Sequence, residues 1–385
     1  MLAMHYRGPQ RVRVDHKPMP QILHPQDAIV RVTRSCICGS DLHLYNGSVP
    51  DTRVGMTFGH EFTGVVEQLG EGVRKLKVGD HVLVLFNIAC GTCVFCRQGL
   101  YGNCHESNPQ ATAVGGIYGY SHTAGGYDGG QAEYVRVPYA DVSPTLIPEG
   151  MDPDDAVLLT DVVPTGFQAA EMGGIQPGDT VVVFGAGPVG IMAARCAWLF
   201  GAGRVIVIDC VDYRLEFARS YAPCEAYDFR SLEDPVVFIK RTSDSLGADV
   251  CIDAVGAEAA GSAVADDPRQ KTADAGRVCH RAALGDQFRE KGRDRLHRRG
   301  VRSYRCPRPD RERGEQGHHH SGEPGIGKAA AATTDRARAE RRPRSESLDH
   351  PPRPPGGRLG CLPDLFGEAR RLHQAGADAA VGHIT

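Results

Sequence analysis

Four cysteines fall within one short stretch as Cys90-x2-Cys93-x2-Cys96-x7-Cys104. Four thiolates on so tight a loop can close a tetrahedral zinc site with Zn–S bonds near ~2.3 Å. Buried thiols or disulfides could also explain them, but chance rarely gives spacing this compact. A site closed by four sulfurs keeps no open position, so it would hold the loop together and not catalyse. A second set is dispersed. It comprises Cys38-Gly39-Ser40-Asp41-Leu42-His43, then Gly59-His60-Glu61, then Asp161 in Thr160-Asp161-Val162-Val163-Pro164-Thr165-Gly166. A catalytic zinc takes about three protein ligands and leaves one position for water or a substrate oxygen. Cys38, His60 and Asp161 meet that need, although a single Cys-Gly or His-Glu is more often structural. A third signal is Gly185-Ala186-Gly187-Pro188-Val189-Gly190, with Asp209 lying 19 residues beyond Gly190. In a dinucleotide-binding turn the first glycine makes the bend and the second admits a pyrophosphate to the backbone. The third lets helix pack on strand. The helix N-terminus adds partial positive charge for the phosphates. Asp209 would accept hydrogen bonds from the adenosine ribose hydroxyls and repel a 2′-phosphate, which favours NAD over NADP. Arg214 weakens that preference.

These residues need elements to carry them. Residues 27–34 alternate as a strand should, and 62–67, 81–86 and 132–137 are further strand-like runs between Gly/Asp/Pro turns. Short strands at this spacing predict a β-rich first part. Near residue 152 the texture changes. Residues 152–173 have helical spacing, with Asp152 as cap and Pro153 at the first helical position. The apolar run 180–184 reads as a buried parallel strand. A helix over 188–200, a strand over 204–209, a helix near 212–221 and a strand over 249–254 follow. Strands alternating with helices predict βαβ units.

Taken in order, CICGSDLH, GHEFTGVV, the four-cysteine lobe and FGAGPVG resemble the zinc-containing medium-chain alcohol dehydrogenases. The stretch GGYDGGQAEYVRVPYAD, with aspartate as third ligand, is most similar to the branch containing glutathione-independent formaldehyde dehydrogenases. The resemblance covers about residues 1–260. It implies an α/β plus β architecture: a GroES-like β-rich catalytic domain over 1–151, then a Rossmann doubly wound parallel sheet binding NAD over 152–263. It implies two zinc ions per chain, one held by Cys38, His60 and Asp161 and one by Cys90, Cys93, Cys96 and Cys104. Asp161 departs from the family's commoner cysteine, and an oxygen ligand leaves zinc a harder Lewis acid. By the same resemblance Glu61 is an alternate ligand during exchange, and Asp41 orients the His60 ring. Ser40 takes the alcohol proton and His43 passes it toward solvent, unless His43 is simply a surface histidine. Thr165 contacts the nicotinamide side, and Arg214 stands at the ribose. The implied activity is hydride transfer to NAD from a primary or secondary alcohol, or from a hydrated aldehyde such as formaldehyde. Relatives of this kind are homo-oligomers.

The last third breaks the pattern. Of 44 Lys and Arg residues, 25 lie after residue 260, and 22 of those are Arg. The same stretch holds two isoleucines, one tyrosine and no tryptophan, too little to build a sheet core. No period holds after residue 263, so residues 264–385 read as an anomalous, disordered Arg/Gly/Pro-rich segment and the Rossmann sheet as incomplete. His318-His319-His320 reads as accidental. A reading-frame change soon after Ala263 is the hypothesis that would explain the break. Cys361 to Gly376 can be back-translated so that a one-nucleotide shift yields a peptide resembling the family's C-terminal segment. A catalytically defective, zinc-stabilised remnant is therefore the competing reading to an active enzyme.

Bulk properties exclude other classes. The chain has 385 residues, 41% hydrophobic and 24% charged, with a net charge of −3, as expected of a globular protein. No apolar run reaches the ~18 residues of a membrane span, and the N-terminus has no apolar core of a signal peptide. Clustered cysteines without an export signal predict a cytoplasmic metalloprotein. The basic tail lacks aromatic interleaving and carries acids throughout, which argues against a nucleic-acid partner.

Overall fold

The computed structural model describes residues 1–111, 114–232, 234–243 and 247–256, together with the backbone of 302–305. A hairpin of β1 (Leu2–Tyr6) and β2 (Val12–His16) comes first. Then follow β3 (Ala28–Ser35), α1 (Gly39–Tyr45), β4 (Phe62–Leu69) and β5 (His81–Val84). Next come β6 (Asn87–Ile88), the short α2 (Val94–Arg97), β7 (Gly116–Ile117), β8 (Tyr134–Val137) and β9 (Pro144–Leu146). Five of these strands form one antiparallel sheet in the order β8-β3-β4-β5-β9, and β6 pairs with β7 beside it. The alternation read from the sequence sets its inner face. Ala28, Val30, Phe62, Val66, Val82, Val84, Val135 and Val137 meet in one core. Phe62 and Tyr118 pack edge-on with ring centres 5.3 Å apart, the arrangement that aromatic quadrupoles favour.

The second architecture alternates helix and strand. It runs α3 (Pro153–Ala156), α4 (Val162–Gly173), β10 (Thr180–Phe184), α5 (Pro188–Leu199) and β11 (Arg204–Asp209). It continues with α6 (Asp212–Tyr221), β12 (Glu225–Asp228), α7 (Pro235–Thr242), β13 (Val250–Asp253) and β14 (Arg302–Arg305). The sheet order is β12-β11-β10-β13-β14. The first four strands are parallel, and β10 is flanked by β11 on one side and β13 on the other. That reversal of direction is the topological switch point at which doubly wound sheets bind ligands. Val181, Val183, Val205, Val207, Val250 and Ile252 face one helical layer, while Val182, Phe184, Ile206, Ile208 and Cys251 face the other. Burial on both faces explains why these strands read as unbroken apolar runs.

Three expectations change. The helical spacing over 152–173 is interrupted: α3 ends at Ala156, a 3₁₀ turn covers Val157–Thr160, and α4 begins at Val162. The break is at Asp161, whose φ of −149° and ψ of −64° are not helical. Strand β12 and helix α7, which have no strong sequence period, complete the sheet's outer edge and cover it. In the last third, where no period holds, Arg302–Arg305 pairs antiparallel with β13, so the sheet gains a strand of opposite direction. The rest of the segment read as disordered lies outside the described residues, as does His318-His319-His320.

Candidate active site

The dispersed residues meet. One ligand atom from each of Cys38, His60, Glu61 and Asp161 lies within 4.8 Å of all the others, and the group could hold a metal ion. Separate elements deliver it. Cys38 caps the N-terminal end of α1, His60 and Glu61 immediately precede β4, and Asp161 stands where the helical run breaks before α4. That break is what frees the Asp161 carboxylate to turn toward the cluster. His60, Glu61 and Asp161 are all buried, and His60 Nε2 lies 3.0 Å from Asp161 Oδ2.

The electrostatics of this cluster fit a cation. Burial, and then the Glu61 charge, pushes the Cys38 thiol up. Burial lowers the His60 pKa, but hydrogen bonds with Asp161 and Cys38 and the nearby negative charge raise it well above the ordinary imidazole value. Thiol, imidazole and two carboxyl groups crowded out of water are costly as bare charges. A divalent cation among them removes that cost and keeps the thiolate and neutral imidazole forms that bind metals.

Asp41 supports the site differently from the expectation. Its Oδ1 is 3.8 Å from His60 Nδ1, too far for a hydrogen bond. Instead it accepts from the backbone N–H of Cys38 at 2.8 Å and of Gly59 at 3.3 Å, tying the two ligand loops together. Burial pushes its carboxyl up to about 6. The amide of Gln131 donates to Asp41 Oδ2 and to the Cys36 carbonyl, both at 3.3 Å. Backbone bonds from Gly129, Gly130 and Gln131 to Thr57, Gly59 and Phe58 fasten the same loop. Sequence reasoning missed Gln131; its signal was the glycine-rich stretch that precedes it. Ser40 Oγ lies 3.8 Å from Cys38 Sγ, beside the donor set. His43 is half-buried one turn further along α1, so the two share a helix face. The Thr165 hydroxyl donates to Asp161 Oδ1 at 2.5 Å.

The four-cysteine lobe closes on itself. Cys90, Cys93, Cys96 and Cys104 form the second group that could hold a metal ion. Cys90 Sγ to Cys96 Sγ measures 3.9 Å and Cys93 Sγ to Cys104 Sγ 4.0 Å. A disulfide needs about 2.05 Å, whereas the edge of a tetrahedron with ~2.3 Å metal–sulfur bonds is about 3.8 Å. The sulfurs also accept backbone N–H bonds: Cys93 to Cys90 Sγ and Cys90 to Cys104 Sγ, both at 3.2 Å. Such donors stabilise thiolate charge, so this lobe also fits zinc.

The glycine turn sits at the switch point after β10. Gly185 has φ of +91°, and a Cβ there would come within 2.8 Å of the Ala254 carbonyl oxygen, just past β13. A Cβ on Gly190 would stand 1.9 Å from the Gly185 carbonyl oxygen, so α5 approaches the turn as only glycine allows. Gly187 precedes the first helical residue, Pro188, and a Cβ there would point into open space. Asp209 ends β11 and accepts from the backbone N–H of Ala186 at 2.6 Å, Cys210 at 2.6 Å and Val211 at 3.0 Å. Its carboxylate thus bridges the turn to the next strand. Arg214 lies on α6 with Nε donating to the Tyr213 hydroxyl at 3.2 Å.

Comparison with known proteins places this arrangement. The profile of the alcohol dehydrogenase GroES-like domain matches residues 24–149. The zinc-type alcohol dehydrogenase-like protein AdhB of Bacillus subtilis is 44% identical over 258 residues, covering 66% of this chain and 68% of that protein. The glutathione-independent formaldehyde dehydrogenase of Pseudomonas aeruginosa is 40% identical over 269 residues, covering 66% of this chain and 65% of the enzyme. The alcohol dehydrogenase of Thermus sp. ATN1 superposes with a TM-score of 0.62 at 39% identity, covering 69% of this chain and 72% of that structure. The matches thus span about two thirds of each relative's length. With its GroES-like sheet, its parallel dinucleotide-type sheet and its buried thiol–imidazole–carboxylate cluster, the chain belongs to the zinc-dependent medium-chain alcohol dehydrogenase family.

Proposed function

We propose that the chain is a zinc-dependent oxidoreductase that transfers a hydride from an alcohol, or from a hydrated short aldehyde such as formaldehyde, to NAD. The observation that carries this reading is the meeting of Cys38, His60 and Asp161 beside Ser40, the three ligands each delivered by a different element. Cys38, His60 and Asp161 would hold the catalytic zinc, with Glu61 as alternate ligand, and Cys90, Cys93, Cys96 and Cys104 a structural one. Zinc bound at the first site supplies Lewis acidity that lowers the pKa of an alcohol hydroxyl. Ser40 accepts the substrate's hydroxyl proton, and His43, one turn along α1, relays it outward. Asp41 keeps the Cys38 and Gly59 loops in register. At the second sheet, Gly187 leaves the backbone open to a pyrophosphate at the start of α5, while Gly185 makes the turn and Gly190 lets α5 pack against it. Asp209 has about four lone-pair positions on its carboxylate and three backbone donors on them, so it can still accept from a ribose hydroxyl. A 2′-phosphate would meet its negative charge, which Arg214 on the next helix would offset only in part.

The formaldehyde-type substrate rests on the Pseudomonas relative and on an oxygen ligand in place of sulfur. The ten described cysteines form no disulfide with one another, which fits a reducing cytoplasm, and no described helix is long and apolar enough to cross a membrane. NADH production from a panel of short primary and secondary alcohols and formaldehyde, with NADP in parallel, tests the reading. Turnover with NAD and little with NADP supports it. Two zinc ions per chain with no turnover on any substrate would instead select the defective remnant.

A further inference from the structure

One residue holds Asp161 twice. Thr165 donates its backbone N–H to the Asp161 carbonyl at 2.9 Å and its hydroxyl to Asp161 Oδ1 at 2.5 Å. The other carboxylate oxygen, Oδ2, lies 3.0 Å from His60 Nε2. The two oxygens therefore have separate surroundings: Oδ1 faces a hydroxyl on α4, and Oδ2 faces the donor cluster. Both residues are buried, Thr165 8% and Asp161 5% exposed, so little water competes for the bond. The direction of the bond is fixed by chemistry. An ionised carboxylate only accepts, and a threonine hydroxyl has one proton to give.

We propose that Thr165 is a positioning residue that commits Asp161 to bind the catalytic metal through one oxygen only. The inference rests on the reading of Cys38, His60 and Asp161 as the zinc site. A cysteine in the third position can offer a single sulfur, but an aspartate can offer one oxygen or two. Binding through two would fill the coordination position that a catalytic zinc must keep for its substrate. The Thr165 hydroxyl takes one acceptor position of Oδ1 and holds that oxygen toward α4, which disfavours its use as a second donor and so keeps that position open. The same bond anchors the ligand to α4, the helix that begins immediately after it. With its proton given to Asp161, Thr165 can act toward any bound cofactor only as an acceptor.

The test compares Thr165→Val, which keeps the shape and loses the hydroxyl, with Thr165→Ser, which keeps the hydroxyl. Zinc release from the full-length chain is followed against a chelator, and cobalt(II) exchanged into the Cys38 site reports coordination number through its visible bands. The zinc of the four-cysteine lobe serves as internal control. In Thr165→Val, zinc at the Cys38 site should be held about 10- to 100-fold more weakly, the usual range for losing an outer partner of a metal ligand. The cobalt bands should weaken as the site moves from four ligands toward five. Thr165→Ser should restore both. If Thr165→Val fails to fold, Thr165→Ala carries the same comparison. Wild-type affinity and wild-type bands in the hydroxyl-free variant would overturn the proposal while leaving the zinc site standing. A wild-type chain that binds zinc only in the four-cysteine lobe would overturn the zinc site itself, and the proposal with it.

Discussion

Among single residues, the proposed metal ligands are the least replaceable. Replacing Cys38 by Ser or His60 by Ala removes one of the three side chains proposed to hold the catalytic zinc. Each should release one zinc ion and lower turnover by at least ~10³-fold, as expected when Lewis-acid activation of the substrate is lost; metal analysis and NADH production check this together. Asp209 carries two duties. Its carboxylate caps three backbone N–H groups and stands where the adenosine ribose is expected. Asp209→Ala should relax the preference for NAD over NADP and also cost about 1–3 kcal/mol of stability, because one buried and two part-buried donors lose their acceptor. Measured cofactor preference and urea unfolding separate the two effects; unchanged preference would remove Asp209 from the cofactor site. The ligand types and the glycine turn were legible in the sequence because their chemistry restricts residue type and spacing. The partners of Asp41 and Thr165 were not, since Asp41 joins segments far apart in the chain and the Thr165 bond depends on the break in the helical run at Asp161.

Among elements, the close approach of α5 to the turn after β10 is the most constrained contact. Gly190→Ala would place a methyl group 1.9 Å from the Gly185 carbonyl oxygen, so helix and strand must part. The expected cost is about 1–3 kcal/mol or more, with a loss of NAD affinity larger than the loss of zinc. Calorimetric binding of NAD to the variant checks this. The four-cysteine lobe has only the short α2 and a 3₁₀ turn, Tyr101–Asn103, of its own, so the zinc proposed for it would stand in for a core. Cys93→Ser should release the lobe's zinc and lower Tm while leaving the Cys38 metal in place. Strands β3, β4, β10 and β11 could be read from the sequence because alternation or unbroken apolar runs mark their burial. The interruption at Asp161 could not, because helical spacing continues on both sides and only the carboxylate's role breaks it. Strand β12 and helix α7 lie at the sheet's outer edge, where fewer buried positions leave a weaker period.

For the whole molecule, the question is how the nucleotide sheet is completed. The parallel strands end with β13, and β14 adds to it in the opposite direction. The matches to AdhB and to the formaldehyde dehydrogenase each cover 66% of this chain. We propose that a reading-frame change soon after Ala263 produced the composition of the last third, which predicts that the neighbouring frame of the gene encodes family-like strands. Sequencing that region decides it: a neighbouring frame without such strands removes the proposal. If the frame is altered, NAD should bind weakly while both metals remain, because the zinc ligands all precede residue 162. Zinc content per chain therefore tests the central claim most directly. Metal analysis of the purified full-length protein should give two zinc ions per chain, one in a Cys38→Ser variant and one in a Cys93→Ser variant. One zinc in the wild type, unchanged by Cys38→Ser, would contradict the proposed catalytic centre.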